Sequence, residues 1–322
     1  MSLLLMAAAL ISLSMGAVVI DLSEVLAVFA RRIGMPIGAD PSALADSVLW
    51  GVRFPRVLMG IVAGGALALA GVVLQGVFRN SMADPQLLGI GPGASLGAVI
   101  GSVAGATQGA IAGGAVAGLL TSLVVRRLGE RRTRQPSQFI LTGVAFSAAL
   151  TAWVGFVVFG GDRTKVPPIE FWLLGSLAGS TWRALGTATV LAGLGSMGLV
   201  CGARILDLMA LGESEARHLG VDVGFATTIL LIGVGVVVGT TVGAVGVIGF
   251  VGLLVPHLVR LLSGPAHRPL MTGSLLAGGL FVVVTDLVAR TVAIPVEIPV
   301  GLVTAVVGGP FFLWLVHRAA RV

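Results

Sequence analysis

The chain has 322 residues, of which 56% are hydrophobic and 11% are charged, and its formal net charge is +6. A water-soluble domain carries about 25% charged residues, so this composition excludes an ordinary soluble globular protein. The basic residues lie at the ends of apolar runs instead of clustering on one soluble face, which argues against nucleic acid as a partner.

Apolar runs recur from end to end, and each is long enough to cross about 30 Å of hydrocarbon. We predict ten membrane spans: 3–20, 55–78, 87–107, 109–128, 138–159, 184–202, 224–240, 243–262, 269–290 and 299–317. The first run has neither a basic n-region nor a clear cleavage site, which favours a first transmembrane helix over a removed signal peptide. The predicted fold class is an all-α polytopic membrane protein with one transmembrane domain over residues 1–322.

Arginines set the predicted orientation of these spans. The loop after the fourth span holds five of them: Arg126, Arg127, Arg131, Arg132 and Arg134. Basic residues favour the cytoplasmic side of a membrane, so this loop is predicted to be cytoplasmic. Both chain termini are then predicted to be cytoplasmic as well.

Two segments do not fit a simple span. Residues 21–54 mix charges with Pro36 and Pro41 and are predicted to contain a short helix, Ala43 to Trp50. Residues 168–182 are apolar but too short to cross, and we predict a re-entrant or interfacial helix on the outer side. Such a segment is tolerated at membrane depth only where protein buries it or where it lines a cavity.

The sequence has no pattern that would hold ATP. A P-loop needs GxxxxGK[ST] with its lysine on the phosphates, and the only lysine, Lys165, lies in GGDRTKVP. If ATP drives the protein, another subunit therefore hydrolyses it. Proton or sodium coupling would need ionisable groups at membrane depth. Asp286 is the main candidate, and its local pairing with Arg290, four residues later, is the alternative.

No pattern indicates an enzyme or a metal site. The four histidines, His218, His257, His267 and His317, fall in separate segments without metal-ligand spacing. The single cysteine, Cys201, excludes an intrachain disulfide and a cysteine-based metal cluster. We expect no catalytic residue, no metal ligand and no cofactor bound by this chain. We interpret His257 as a structural or gating residue, with contact to a metal-bearing substrate as the alternative.

Residues 204–222 form a charged, amphipathic stretch between two long apolar blocks. Gly212 divides it into two predicted short helices, with Glu213, Glu215 and Arg217 exposed. Its predicted apolar stripe consists of Leu208, Leu211, Ala216 and Leu219. Such a knob suits docking into the groove of a soluble protein. The alternative is an amphipathic helix lying on lipid, which two acidic residues in one turn disfavour at an anionic leaflet.

Two arginines, Arg53 and Arg56, flank Pro55 at the predicted outer start of the second span. Their charges oppose the helix dipole, which prefers anions at that end. Carboxylates supplied by a partner would explain them. Snorkelling to lipid headgroups is the alternative.

Several blocks, in order along nearly the whole chain, resemble the FecCD family, the permease subunits of type II ABC importers for iron–siderophores, haem and cobalamin. The blocks are RFPR (53–56), GVVLQGVFRN…ADPQLLGI (71–90), LMALGESEARHLG (208–220), GVIGFVGLLVPHLVR (246–260), DLVART (286–291) and EIPVGLVTAVVGGPFFLWL (297–315). One departure is that the family usually has Asn-Pro-Leu-Ala where this chain has Asn80-Ser81-Met82-Ala83. This change affects the expected gate geometry but not the fold.

The resemblance implies a ten-span subunit of the bacterial inner membrane that forms a homodimer, with a translocation pore on the dimer axis. Two cytoplasmic ABC ATPase subunits, which use ATP and Mg, would dock on the 204–222 coupling segment, and a periplasmic binding protein would deliver the substrate. The implied ATPase contacts are Leu208, Gly212, Glu213, Ala216 and Gly220. The implied binding-protein contacts are Arg53, Arg56 and Arg290, and the implied inner gate comprises Asn80, Ser81, Met82, Pro136 and Ser137.

Substrate is the least determined feature. The segment FWLLGSLAGSTW (171–182) resembles haem and siderophore members more than cobalamin members, so we expect haem, with siderophore or cobalamin as alternatives. Arg163 and Arg183, near the predicted outer mouth, are candidates for attracting haem propionates. The opposing functional classes are a proton-coupled secondary transporter and an intramembrane enzyme.

Overall fold

The structure is a computed structural model that describes residues 1–35, 41–130, 136–160 and 173–319. All secondary structure within these ranges is helical. The helices are α1 Ser2–Ser14, α2 Leu22–Arg32, α3 Ala43–Val48, α4 Phe54–Val77, α5 Ile90–Glu130, α6 Pro136–Gly160, α7 Trp182–Cys201, α8 Ala203–Ala210, α9 Glu213–His218, α10 Val223–Val245, α11 Val251–Ser263, α12 His267–Thr291 and α13 Val300–Ala319. A π-helical turn, Leu49–Arg53, joins α3 to α4.

Six helices in the described part of the chain are long and apolar enough to cross a membrane: Ala43–Val77, Thr107–Leu128, Leu141–Gly160, Trp182–Cys201, Val223–Val245 and His267–Thr291. Four shorter apolar helices are Ser2–Ser14, Ile90–Val103, Val251–Ser263 and Val300–Trp314. Together these segments fall at the positions of the ten predicted spans. The order of apolar helices is therefore as predicted, whereas a full crossing by the four short ones stays a prediction.

Helix α5 is a hairpin. Its backbone is helical from Ile90 to Glu130, yet a Cβ built on Gly113 would overlap the carbonyl oxygen of Gly97, and one on Gly101 would overlap that of Gly109. In a straight helix, which rises about 1.5 Å per residue, Gly97 and Gly113 would be roughly 24 Å apart. The chain therefore folds back between Gly101 and Gly109, and the two arms match the predicted spans 87–107 and 109–128.

The core is centred on α4, which is buried almost continuously from Ala63 to Gln75. Helix α12 packs along it where Gly64 faces Gly278, and α11 where Gly71 faces Gly252, with no room for a side chain at either crossing. Small residues let membrane helices approach this closely. The many glycines of the chain thus allow the helix backbones to cross in close contact.

Replacing Gly71 by Leu is expected to destabilise the bundle. A Cβ at this position would overlap the backbone carbonyl of Gly252, which cannot move away as a flexible side chain could. Overpacking of this kind costs about 1–3 kcal/mol or more. The matched control is Gly186→Leu, because a Cβ at Gly186 on α7 meets nothing within 4 Å. Thermal unfolding in detergent checks the prediction, and equal melting temperatures for the two variants would contradict it.

The predicted outer helix at 168–182 falls partly outside the described residues. Leu173 and Leu174 are helical and the backbone from Gly175 to Ser180 is not, so a helix does not extend to residue 180, and the re-entrant helix itself stays a prediction. The N–H of Ser176 donates to the carbonyl oxygen of Val245 (2.8 Å), and Leu177 is buried against α4 at Gly60. Protein therefore buries Gly175 and Leu177, whereas Ala178 and Gly179 are exposed. Burial of this kind is the condition for irregular backbone at membrane depth.

Helix α6 is the least covered of the long helices. It packs along α5, while Leu141, Phe156 and Phe159 are each about 70% exposed. A face this apolar must be covered by lipid or protein. The homodimer implied by the sequence would be one such cover, and it stays a prediction.

Candidate functional site

The coupling segment folds as two short helices at one end of the bundle, between α7 and α10. Gly212 separates α8 from α9 with φ of 135°, a region that L side chains rarely adopt. A Cβ there would also overlap the Glu215 carboxylate. The predicted division into two helices at Gly212 is therefore confirmed.

The apolar stripe predicted for this segment is wrong in part. Leu206, Met209 and Ala216 are buried against the bundle. Leu211 and Leu219 point the other way, with 64% and 58% of their surfaces exposed. The predicted stripe is split between the buried and the exposed side because the break at Gly212 turns α9 relative to α8. The spacing of a single helix therefore does not apply across Gly212. Two leucines and the charged groups of α9 thus form the free face.

Hydrogen bonds at the end of α9 fix the shape of that face. The N–H groups of Gly220 and Val221 donate to the carbonyl oxygens of Arg217 (2.9 Å) and Ala216 (3.0 Å), with Gly220 at φ of 85°. This is the Schellman arrangement that ends a helix. Asp222 then caps α10 by accepting from the N–H of Phe225 (3.0 Å).

The charges on the free face are exposed and paired locally. Arg217 pairs with Glu213 at 2.6 Å, four residues away. The hydroxyl of Ser214 donates to Glu215 (2.7 Å), and this hydrogen bond lowers the pKa of that carboxyl. Glu215 is therefore anionic at neutral pH.

Helix α8 is joined to α12 through Asp207. One carboxylate oxygen of Asp207 accepts from the backbone N–H of His267 (2.9 Å) and lies 2.7 Å from its ring Nδ1. His267 begins α12, so Asp207 caps that helix from another part of the chain. The His267 ring is buried beside α4 at Gly76. The coupling segment is thus attached to two long helices.

Replacing Asp207 by Ala is expected to lower the melting temperature. The change leaves the first N–H of α12 without its acceptor, and loss of an N-cap costs about 1 kcal/mol. Asp207→Asn keeps an acceptor oxygen and is expected to retain most of that stability. Thermal unfolding of both variants checks the prediction, which fails if Asp207→Ala melts at the wild-type temperature.

Three of the predicted gate residues, Asn80, Ser81 and Met82, lie in the loop after α4, at the same end of the bundle. The side-chain oxygen of Asn80 accepts from the N–H of Met82 (2.9 Å), which turns the backbone without a proline. Ser81 is exposed. Further along the loop Asp84 is buried, and burial raises the pKa of its carboxyl to about 6. Its oxygen accepts from the N–H of Gln86 (2.8 Å).

At the opposite end of the bundle, Arg56 is held between two carboxylates. Its Nη2 lies 2.9 Å from Asp286 on α12, and its Nη1 lies 2.9 Å from Glu297, before α13. Arg56 and Asp286 are buried, whereas the side chain of Glu297 is 48% exposed. Two N–H groups of Arg56 donate to the Asp286 carboxylate in a forked geometry. Forked arginine–carboxylate pairs are among the strongest charge-assisted hydrogen bonds.

Arg53 and Arg290 bind the C-terminal end of α1. Arg53 donates to the carbonyl oxygens of Leu13 (2.6 Å) and Ser14 (3.0 Å). Arg290 donates to the carbonyl oxygen of Met15 (2.8 Å) and lies 3.6 Å from Asp286. The last carbonyls of a helix lack partners within it and carry partial negative charge. The end of α1 thus serves, with the carboxylates, as counter-charge for these arginines.

A cavity of about 450 Å³ lies between the start of α5 and the face of α6. Its polar lining consists of the neutral side chains Gln86, Ser95, Ser147 and Thr151, and its apolar lining includes Val154. Among the described residues, no charged side chain lines it. The cavity can therefore admit a partly apolar molecule without binding it through charge.

The family model of the FecCD transport family matches residues 4–318. The chain belongs to the FecCD family. A cobalamin import permease, BtuC of Halobacterium salinarum, is 37% identical over 85% of this chain and 74% of its own length. The haemin transport permease HmuU of Yersinia pestis is 36% identical over 83% and 82%, respectively. Its membership of this family makes the protein a transport subunit rather than an enzyme.

The fold agrees with this assignment. A solved structure of a metal-chelate type ABC transporter, in an inward-facing conformation, matches with a TM-score of 0.82 and 32% sequence identity. The match covers 98% of this chain and 97% of the other. The FecCD fold is therefore present over essentially the whole chain.

Within the FecCD fold, the predicted residues fall into groups. The three outer arginines come together at one end but are buried, at 5–7% exposure, which excludes snorkelling; contact with a binding protein stays a prediction. Asp286 pairs with Arg290 as the alternative interpretation had it, and more closely with Arg56. Arg183 is exposed on α7 and does not line the cavity. Arg163 lies outside the described residues, as do the side chains of Pro136 and Ser137.

Sequence reasoning missed three features. The pairs Asp207–His267 and Arg56–Glu297 join positions 60 and 241 residues apart, a separation that no local pattern reveals. The third is helix α2, which the sequence does indicate. Asp21 precedes an amphipathic stretch that ends in Arg31 and Arg32, and an acidic start with a basic end is typical of a helix.

Proposed function

We propose that this chain is the membrane permease subunit of an ATP-driven importer that moves a metal chelate from the periplasm to the cytoplasm. The observation that carries the proposal is the free face of α8 and α9. Two exposed leucines lie beside charged groups on short helices whose ends are fixed by hydrogen bonds, and such a face suits a groove on a soluble protein. Because the sequence has no P-loop, that protein supplies ATP hydrolysis, and two such ATPase subunits serve a homodimer of this chain.

The proposed mechanism is alternating access by rigid-body movement. ATP draws the two ATPase subunits together, and α8 and α9 move with them. Asp207 passes that movement to α12 at His267, and the tight glycine crossings pass it to α4. The central path, lined in part by the cavity between α5 and α6, then opens to one side at a time. At the other end a periplasmic binding protein delivers the chelate.

For the substrate, two observations favour different chelates. The sequence at 171–182 favours haem or a siderophore over cobalamin, and haem has two anionic propionates. The uncharged lining of the cavity favours a chelate with a neutral rim, such as cobalamin with its carboxamides. We propose haem first, with cobalamin or a ferric siderophore as the alternative; relatives named for haemin and for cobalamin transport are about equally similar.

The test is uptake by the reconstituted complex of this permease, its ATPase and its binding protein. Proteoliposomes are given haem, cobalamin or a ferric siderophore with and without ATP. The proposal expects ATP-dependent accumulation of one chelate that vanadate abolishes. Accumulation that only a protonophore abolishes would instead identify a secondary transporter. Charge reversal of Arg163 and Arg183 that leaves haem uptake intact would remove both from the substrate path.

A further inference from the structure

Helix α2 exposes a continuous apolar stripe. One side of the helix, including Val25 and Val28, is buried. The exposed side carries Leu22, Leu26 and Phe29, and Ile33, the residue that caps the helix, continues the stripe; each is 47–55% exposed. Positions spaced in this way lie on one face of a helix. An apolar face open to water would be unfavourable, so something covers it.

Aromatic contacts place α2 at the level where α4 begins. The ring of Phe29 stacks on Phe54, the first residue of α4, at 6.0 Å. The guanidinium of Arg32 lies 4.9 Å from the centre of the Trp50 ring. Trp182, which begins α7, lies 4.5 Å from Trp50 and donates to its carbonyl oxygen (2.7 Å). Tryptophans concentrate at membrane–water interfaces, so this cluster marks the interface at the predicted outer end.

The length of α1 gives an independent reason. Its 13 residues span about 20 Å, roughly 10 Å less than the hydrocarbon core. Exposed apolar side chains continue beyond its end at Met15 (51%) and Val19 (80%), directly before α2. The apolar surface of α1 thus runs on into α2.

We propose that α2 is an interfacial helix whose stripe, Leu22, Leu26, Phe29 and Ile33, lies in the outer leaflet of the membrane. Arg31, at its C-terminal end, lies at the level of the lipid phosphates, as a snorkelling arginine does, whereas Arg32 is held by Asp46 at 2.7 Å. Four side chains are far fewer than the roughly 20–30 residues that each side of a stable protein interface supplies. Lipid is therefore the occupant, and the helix fixes the depth of the outer ends of α1 and α4.

Spin labels on single cysteines test the proposal in the full chain. In a Cys201→Ser background, Leu22→Cys and Leu26→Cys report the stripe. Ser23→Cys is the matched control, an exposed polar position of the same helix that lies about 100° around the helix from Leu22 and so off the stripe. Leu4→Cys, on exposed apolar surface of α1, is the lipid reference. In phospholipid bilayers, labels at 22 and 26 are expected to collide with oxygen as often as the label at 4. They should collide with a water-soluble nickel chelate several-fold less than the label at 23.

Two results would overturn the proposal. If the labels at 22 and 26 meet the nickel chelate as often as the label at 23, the stripe faces water. If they are shielded from both reagents, a protein covers it. Oxygen accessibility is measured on the permease alone and again with its binding protein, which assigns any shielding to a second copy or to that partner.

Discussion

Replacing Asp286 by Ala is expected to destabilise the protein strongly. The substitution removes the carboxylate that is bonded to Arg56 and lies near Arg290. Breaking a buried ion pair from one side costs about 3–5 kcal/mol, because the remaining charge stays buried without a partner. Glu297 can neutralise only part of the excess, since its side chain is half exposed. Thermal unfolding in detergent and the yield of membrane-inserted protein measure the effect.

The control is the double variant Arg56→Met/Asp286→Leu. It removes both charges while keeping apolar volume, and such replacements are often neutral or stabilising. Its melting temperature is expected to lie well above that of Asp286→Ala. The interpretation fails if the double variant is as unstable as the sum of the two single variants, because the pair would then contribute through shape and not through charge.

The order of helices was predictable because crossing a membrane constrains sequence strongly. A span needs about 20 apolar residues and internal backbone hydrogen bonds, so apolar runs and the bounds of α7, α10 and α12 nearly coincide. The break at Gly212 was predictable for a similar reason, since glycine in a charged amphipathic stretch interrupts a helix. A short stretch of sequence is enough to determine each of these features.

The orientation of side chains was less predictable. Leu211 and Leu219 fit one stripe with Ala216 only if α8 and α9 are read as a single helix, and the structure turns Ala216 inward and the leucines outward. The partners of Arg56 lie on α12 and before α13, so the chain must fold before they meet. A sequence contains the charges of such a cluster but not their pairing.

Helix α12 connects the coupling segment at one end of the bundle to the arginine cluster at the other. At one end His267 is bonded to Asp207 of the coupling segment, and at the other Asp286 and Arg290 belong to the arginine cluster. A helix of this length spans roughly 36 Å. Because a movement at Asp207 can shift α12 as a unit, the helix is a direct mechanical route from the ATPase side to the binding-protein side in the proposed importer.

Replacing Leu211 and Leu219 together by Asp is expected to abolish transport without unfolding the protein. Both side chains are more than half exposed, so the fold tolerates the change. In the proposed complex they enter an apolar groove, where burying two unpaired carboxylates is costly. A penalty of about 3 kcal/mol weakens binding roughly 100-fold. The measurements are co-purification of the ATPase subunits and ATP-dependent uptake, with thermal unfolding as the check on folding.

Leu211→Met/Leu219→Met is the matched control, since methionine keeps the apolar volume at both positions. It should retain ATPase binding and uptake within a few-fold of wild type. If the Asp variant also retains both, α8 and α9 do not form the ATPase docking surface. If the Asp variant binds the ATPase normally but transports nothing, these leucines transmit movement instead of providing affinity. The affinity for the ATPase would then come from the charged groups Glu213 and Arg217.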